Sequence, residues 1–416
     1  MASFDIAILS TADQFLRGDD QSTTATLVDM LTRHGYQPRC SLAVSDSEKE
    51  IHAALCYLAQ QSRFVIVTGG LGAGSTDMTA RAAARAFKQP LVIHEQALAG
   101  IRDWFDQRGL SFDPANERQA LLPRDAELIP NPSGITPGFR LQQKDCRLFF
   151  LPAIAGEMQR MFAHSVLPGL QNEYPDAQRI LQRTLKVFGL PETRLRQMAL
   201  HSRLPEGVKL TLSQDFPLTL IRLRASGDRA QQKLDVAEAA AMQALGDNIM
   251  AGDSQTVEGN VARLLTQAGL TLSLAESCTG GLLSHMLTRH PGASAFFDRA
   301  GVTYSNAAKQ HWLKVPFALL EQHGAVSEAC ARAMALGLRQ QSGTDLALAI
   351  TGVAGPDGGT ADKPVGTVYL ALASAAGVHA KRYHFPGDRQ RVQRMTAFMA
   401  LEWLRRFVLQ ESREEQ

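Results

Sequence analysis

No run of this 416-residue sequence approaches the ~18 consecutive apolar residues that a membrane-spanning helix needs. Its opening, MASFDIAILS, sets no charged segment ahead of an apolar one as a secretion signal would. Neither sign of charge is in excess: 43 Lys and Arg face 41 Asp and Glu. No overall basic field therefore draws a polyanion to the molecule, and nucleic acid is not an expected partner. Cysteine is scarce and scattered. Cys40, Cys56, Cys146, Cys278 and Cys330 are odd in number and form no Cys-x-x-Cys pair, which argues against a disulfide framework and a zinc site. The histidines fall at neither His-x-x-x-His nor His-Glu-x-x-His spacing, so no metal is expected from a local motif, although distant residues could still assemble one. Repeats and low-complexity tracts are missing too. These absences point to a soluble, cytoplasmic chain with reduced thiols and no membrane partner. At ~100–200 residues per domain, it has room for two or three domains.

What is present is a rhythm of strands and helices. Phe4 to Leu9 reads as a short apolar strand, Ser22 to Arg33 carries apolar residues at helical spacing, and Arg63 to Thr68 runs into Gly69-Gly70-Leu71-Gly72. The alternation continues to about residue 170, through PNPSGITPGF and the strand-like LFFLP, and implies a parallel sheet flanked by helices. Between about 178 and 252 the order is β-α-β-β-α: Leu185 to Phe188, a helix opened by Pro191-Glu192-Thr193, Val208 to Leu212, Leu218 to Leu223, and an alanine-rich helix after Asp228. That order resembles RNA-binding folds of the KH type without their Gly-x-x-Gly loop, so a spacer or dimerisation module is expected. From Asp253 come a helix (VEGNVARLLTQAG), strands at LTLSLA, Ala300 to Tyr304 and Leu346 to Ile350, a pair at Val365 to Ala373 and Val378 to Phe385, and a long helix from Arg389. The expected fold class is α/β: two three-layer α/β/α domains, residues 1–170 and 253–416, joined by a small α+β module over 178–252.

Three segments carry candidate chemistry. In LSLAESCTGGLLSHML a strand ends at Ala275, Glu276-Ser277-Cys278-Thr279 come next, and Gly280-Gly281 open a helix. Ser277 so placed resembles a nucleophile at a strand-to-helix turn, with helix N–H groups nearby for an oxyanion; equally, Ser and Thr before a helix cap it. In GVTYSNAAK, Tyr304, Asn306 and Lys309 lie just past a strand, where Lys309 is either a solvated surface residue or, if burial lowers its pKa, a base for a serine. In LALAITGVAGPDGGTADKPVGTVYLAL, Gly352, Gly355, Gly358 and Gly359 come after a strand and form either a phosphate-approaching loop or an ordinary Pro-Asp-Gly-Gly turn. The segment fits neither a P-loop nor a dinucleotide fingerprint.

The blocks AESCTGG, VTYSNAAK, GAVSE, TGVAGPDGG and KPVGTVY, in this order and spacing, closely resemble the C-terminal domain of the CinA family of competence/damage-inducible proteins, over about residues 255 to 410. Members of that family include nicotinamide-nucleotide amidohydrolases. The resemblance implies hydrolysis of nicotinamide mononucleotide to nicotinate mononucleotide and ammonia, a salvage step in pyridine nucleotide metabolism. It implies Ser277 as nucleophile, Lys309 as its base, and Tyr304 and Thr279 as helpers at the reacting amide. Glu276, Gly280, Gly281, Asn306, Thr351, Gly352, Ala354, Gly355, Pro356 and Gly358 are implied at the substrate. Arg389 is either a phosphate or active-site partner or a solvated helix-start residue. Neither cofactor nor metal is implied for this reaction, and a homodimer is the base-rate expectation.

The first 170 residues resemble the same family's molybdopterin-binding-like domain, with departures. Ala12-Asp13-Gln14 stands where Gly-Thr-Glu is expected, Gly72-Ala73-Gly74-Ser75-Thr76-Asp77 where the family has Gly-Pro-Thr-x-Asp-Asp, and Pro152-Ala153-Ile154-Ala155-Gly156-Glu157 where it has a Pro-Gly-Pro-Pro-Ser-Glu-like turn. Asp77 and Glu157 survive, but metal-assisted ADP-ribose hydrolysis, known for some members, needs more carboxylates than that. The expectation is a retained fold without the activity. The alternatives are ADP-ribose pyrophosphatase activity in this domain, or a non-catalytic protein serving competence or DNA recombination.

Overall fold

The computed structural model describes residues 6–11, 22–175, 180–201, 204–253 and 255–414. The chain divides into two compact units, one of residues 1–181 with 226–230, the other of 182–225 with 231–416.

In the first unit, β1 (Ile6–Thr11), α1 (Ser22–Arg33), β2 (Cys40–Val44), α2 (Glu48–Gln61), β3 (Phe64–Thr68), α3 (Thr79–Ala86), β4 (Leu91–Ile93), α4 (Glu95–Asp106), β5 (Leu121–Pro123), β6 (Glu127–Ile129), β7 (Gly138–Gln143), β8 (Cys146–Leu151), α5 (Ala155–Met161) and α6 (Leu167–Glu173) succeed one another in order. A six-stranded sheet runs β2-β1-β3-β8-β7-β6. Alternate residues feed two cores: Ala7, Leu9, Val65 and Val67 lie in one, Ile6, Ile8, Phe64 and Ile66 in the other. The expected parallel sheet holds for β2, β1, β3 and β8, but β7 runs antiparallel to both of its neighbours, β8 and β6. The cause is local. Gln143 pairs with Cys146 across the two-residue turn Lys144-Asp145, where Lys144 has φ +51°, and a turn that short can only reverse the strand.

The second unit opens with the small module: β9 (Ile180–Val187), α7 (Glu192–His201), β10 (Lys209–Asp215), β11 (Leu218–Ser226), α8 (Ala230–Leu245) and β12 (Ile249–Ala251), the strands ordered β10-β11-β9-β12. Rather than standing apart, the module shares a core with the chain beyond residue 252. Phe188, Leu218 and Leu220 are buried in one cluster with Leu272, Ile350, Phe398 and Leu401.

The remainder is α9 (Val257–Gln267), β13 (Leu272–Glu276), α10 (Leu282–Thr288), β14 (Phe297–Val302), α11 (Asn306–Leu313), α12 (Phe317–His323), α13 (Glu328–Ser342), β15 (Leu346–Gly352), β16 (Thr367–Ser374), β17 (Gly377–His384) and α14 (Arg389–Glu414). The sheet runs β14-β13-β15-β16-β17, parallel across its first three strands and antiparallel across its last three. Its two faces differ in bulk. Leu272, Leu274, Leu348, Ile350, Leu370 and Leu372 face one core, whereas Ala275, Ala347, Ala349, Ala371 and Ala373 face the other, where α13 supplies Met334 and Leu338. Small residues bring that helix close to the sheet. β14 begins earlier than the expected Ala300 and ends at Val302, so Tyr304 lies beyond the strand rather than closing it.

Candidate active site

β14 and β15 flank β13 on opposite sides, so the crevice beyond the carboxyl end of β13 is the switch point of the parallel part of the sheet, where ligands of open α/β sheets bind. β13 arrives there fully buried. Gly280 (φ +65°) and Gly281 (φ +93°) then adopt a left-handed backbone that side chains resist, and α10 starts at Leu282.

The helix start is capped by neither Ser277 nor Thr279. Glu276, expected at the substrate, is fully buried and accepts from the N–H groups of Gly281 (3.2 Å), Leu283 (3.2 Å) and Ser284 (2.8 Å) and from the Ser284 hydroxyl. Its oxygens are occupied by α10. A carboxylate satisfies these orphan donors and the positive helix end better than a hydroxyl does, so Glu276 sets the turn. The same bonds consume most of the N–H groups that an oxyanion at the helix start would have used.

Ser277 is left with one partner. Lys309 Nζ lies 3.2 Å from Ser277 Oγ, 2.7 Å from the Thr303 carbonyl oxygen and 3.1 Å from that of Tyr304. Lys309 is only 1% exposed and meets no carboxylate among the described residues. Burial holds its pKa below the ordinary lysine value of 10.5, with the thiols of Cys330 and Cys278 opposing that shift. Lys309 reaches this place from α11, whose N-cap Ser305 accepts from Ala308 N–H at 3.1 Å. A close crossing fixes the other end of α11: a Cβ on Gly337 of α13 would come 1.7 Å from the Leu313 carbonyl oxygen. Cys278, next in sequence to Ser277, is buried and its thiol is pushed up to about 12, chiefly by burial.

Arg389, the first residue of α14, closes the ring. Its guanidinium donates to Gly355 O at 2.9 Å and to the Tyr304 hydroxyl at 2.9 Å, joining three of the sequence-predicted residues. One turn on, Gln393 donates to Cys278 O at 2.8 Å and pins the Ser277 turn to the same helix. Gln393 was not foreseen; only its i+4 spacing from Arg389 in DRQRVQ hinted at a shared face. Thr279 Oγ1 and Thr303 Oγ1 are buried without a hydrogen-bond partner, an arrangement that native structures rarely tolerate without a role. Asn306, Pro356 and Gly358 are exposed. Thr351 spends its hydroxyl on the Ala325 carbonyl (2.7 Å), and Gly352 is a packing glycine whose Cβ would meet Thr367 O at 2.7 Å. Ala354 is buried, leaving Thr351, Gly352 and Ala354 to shape the crevice from behind.

The first unit has the same strand order around β1, and its switch point is filled differently. Thr11 Oγ1 and Thr79 Oγ1 lie 3.0 Å apart, Thr79 donates to Gly69 O at 2.9 Å, and Ser10 Oγ meets Thr24 Oγ1 at 2.7 Å. The surviving carboxylates are engaged within their own loops. Asp77 accepts from Gly74 N–H at 2.8 Å, Glu157 accepts from Asn131 Nδ2 at 2.6 Å, and among the described residues no three His, Cys, Asp or Glu side chains converge. Ala12-Asp13-Gln14 lies outside the described residues.

Residues 254–408 match the family described as the CinA C-terminal domain, and residues 7–172 match the probable molybdopterin binding domain. The chain is 49% identical over 407 residues to a CinA-like protein of Syntrophotalea carbinolica, covering 98% of this chain and 99% of that one. It is 46% identical over 409 residues to a CinA-like protein of Geobacter sulfurreducens, covering 97% and 99%. A crystal structure of a competence-damaged protein (CinA) superfamily protein from Klebsiella pneumoniae is 39% identical, covers 36% of this chain and 94% of its own, and aligns with a TM-score of 0.35.

Proposed function

The chain belongs to the CinA family, and from that premise we propose that its C-terminal domain hydrolyses the amide of nicotinamide mononucleotide, releasing ammonia and nicotinate mononucleotide. The observation that carries the reading is the Ser277–Lys309 pair: a hydroxyl 3.2 Å from a buried amine with no acidic partner among the described residues. In its neutral form Lys309 can keep two N–H bonds to the Thr303 and Tyr304 carbonyls and turn its lone pair to Ser277 Oγ. It takes the hydroxyl proton as Oγ bonds to the amide carbon. The proton then passes to the departing nitrogen as the C–N bond breaks, giving ammonia and an acyl ester on Ser277. Water attacks that ester, gives a proton to Lys309, and nicotinate mononucleotide leaves as Oγ recovers its proton.

Thr279 offers an unused hydroxyl beside the reacting centre, and Arg389, held by Tyr304 and Gly355, offers positive charge to the anionic nucleotide. The test is ammonia release from nicotinamide mononucleotide, the riboside and NAD, each with and without chelator. Turnover of the mononucleotide that chelator leaves unchanged is expected. Absence of ammonia from all three substrates refutes the reading.

A further inference from the structure

A second cavity of about 340 Å³ lies in the same unit, away from Ser277, between β17, α14 and the small module. It is at the lower end of the ~300–1,000 Å³ range of small-ligand sites. Its walls are aromatic: Phe188, His379, Tyr383 and Trp403. These rings are held in place. Trp403 Nε1 donates to the Tyr383 hydroxyl at 2.7 Å, the His379 and Trp403 rings lie 4.9 Å apart, and Phe188 leans on Phe398 at 6.1 Å. His379, Lys381 and Tyr383 alternate along β17 and so share one face of the strand.

The charges at the mouth are equally specific. Lys381 Nζ sits 5.4 Å from the Tyr383 ring centroid and meets no carboxylate among the described residues. Glu402, the one acid in the wall, is 6% exposed and bonded to both Arg405 and Arg406, so it does not repel an anion. Arg406 commits only its Nε to that bond and is half exposed. Aromatic rings held in place beside an ammonium that meets no carboxylate among the described residues and a partly free guanidinium suit a flat ring that carries a phosphate. A positively charged ring would meet Lys381 and Arg406 at close range, which favours an uncharged base.

We propose that this cavity binds a nucleoside monophosphate with an uncharged base, its ring against Trp403 and His379 and its phosphate on Lys381 and Arg406. It is separate from the Ser277 crevice. Arg389 and Trp403 stand 14 residues apart on α14, about 21 Å along the helix.

The probe is AMP, titrated into the full-length protein by calorimetry. A parallel titration monitors indole fluorescence in the Trp104→Phe/Trp312→Phe double variant, which leaves Trp403 as the remaining one of three tryptophans. The expected result is one saturable site per chain with quenching of Trp403. Adenosine and inorganic phosphate should each bind at least tenfold more weakly than AMP. Lys381→Ala and His379→Ala, both at exposed positions, should weaken AMP at least fivefold without changing the circular dichroism. In Ser277→Ala protein, saturating nicotinamide mononucleotide should not displace AMP. The proposal is overturned by no saturation up to millimolar AMP, by phosphate binding as tightly as AMP, by displacement with nicotinamide mononucleotide, or by a short oligoadenylate binding more tightly than AMP. It is also overturned if this face proves to be covered by a second copy of the chain, shown by a dimer that Lys381→Ala dissociates. The readout is binding, so failure of the amidase reading leaves it untouched.

Discussion

The two α/β domains place the same crevice at the same point of the same strand order and fill it with opposite chemistry. Around β13 the crevice holds a hydroxyl, Ser277, whose one partner is a buried amine, and two further hydroxyls with no partner. Around β1 it holds Ser10, Thr11, Thr68 and Thr79, all at most 1% exposed, whose hydroxyls satisfy one another or the adjacent backbone. Both sets are buried and polar. The described hydroxyls of the first unit's set bond to one another or to backbone, while Thr279 and Thr303 of the second have no hydrogen-bond partner among the described residues. Architecture decides where a site can be; the side chains placed there decide what chemistry it can carry.

The sharpest way to break this comparison is Ser277→Ala, which should lower amidase turnover at least about a thousandfold, as nucleophile removal does. Since Ser277 caps nothing, its loss should shift stability by less than about 1 kcal/mol in a melt. An alanine variant keeping a tenth of wild-type turnover removes Ser277 from the mechanism. Lys309 comes next: Lys309→Arg should cost about a hundredfold or more, because a guanidinium does not give up its proton to act as a base. The wild-type pH profile carries the sign. The active form is the neutral amine, and burial lowers its pKa, so kcat/KM should rise with pH and level off below the ordinary lysine value of 10.5. A profile that falls as pH rises makes Lys309 a fixed cation instead.

How much of this was legible depends on the distance over which each part is decided. The strands entering both crevices could be read from short apolar runs ending in glycine or hydroxyl residues, and the helical spacing of α1 matches its observed limits, Ser22 and Arg33. The direction of β7 was not legible, because it hangs on the left-handed Lys144 in a two-residue turn. Ser277 and Lys309 stand out by motif, but nothing local says that they touch or that the lysine is buried. Arg389 meets Tyr304 and Gly355 across 85 and 34 residues, and Gln393 meets Cys278 across 115. Glu276 differs in the opposite way: its bonds to the start of α10 are local, yet nothing in the sequence says that its carboxylate is buried and turned toward that helix.

Glu276 supplies the third test, one of stability. Glu276→Gln turns an amide NH₂ toward N–H donors at a fully buried helix start and should cost about 2–3 kcal/mol in urea unfolding. If Glu276 bound substrate instead, KM would rise while stability held. The fourth prediction concerns the closed crevice: metal-stimulated AMP formation from ADP-ribose by the intact protein should be undetectable with magnesium, manganese or cobalt, because Asp77 and Glu157 are committed to their own loops. Robust AMP formation would erase the contrast between the domains.

The smallest effect is expected from cutting the closed crevice away altogether. Ser277, Lys309, Tyr304, Gly355 and Arg389 bond among themselves and Gln393 bonds to Cys278 beside them, so a fragment beginning at Ile180 should turn over nicotinamide mononucleotide within about twofold of the full chain per folded molecule. Starting at Asp253 instead tests the module. That cut removes Phe188, Leu218 and Leu220 from a core they share with Phe398 and Leu401, and at about 1.5–3 kcal/mol for each large side chain buried it should lower stability by several kcal/mol. Turnover per folded molecule should still hold, because none of the three touches the Ser277 crevice. The comparison needs a cooperative transition by circular dichroism before rates are read. A shorter fragment that melts earlier but keeps its rate assigns the module to stability alone. A well-folded fragment of either length without activity would mean that the crevice around β13 borrows a group from elsewhere, and the contrast between the two switch points would then lie in more than their own hydroxyls.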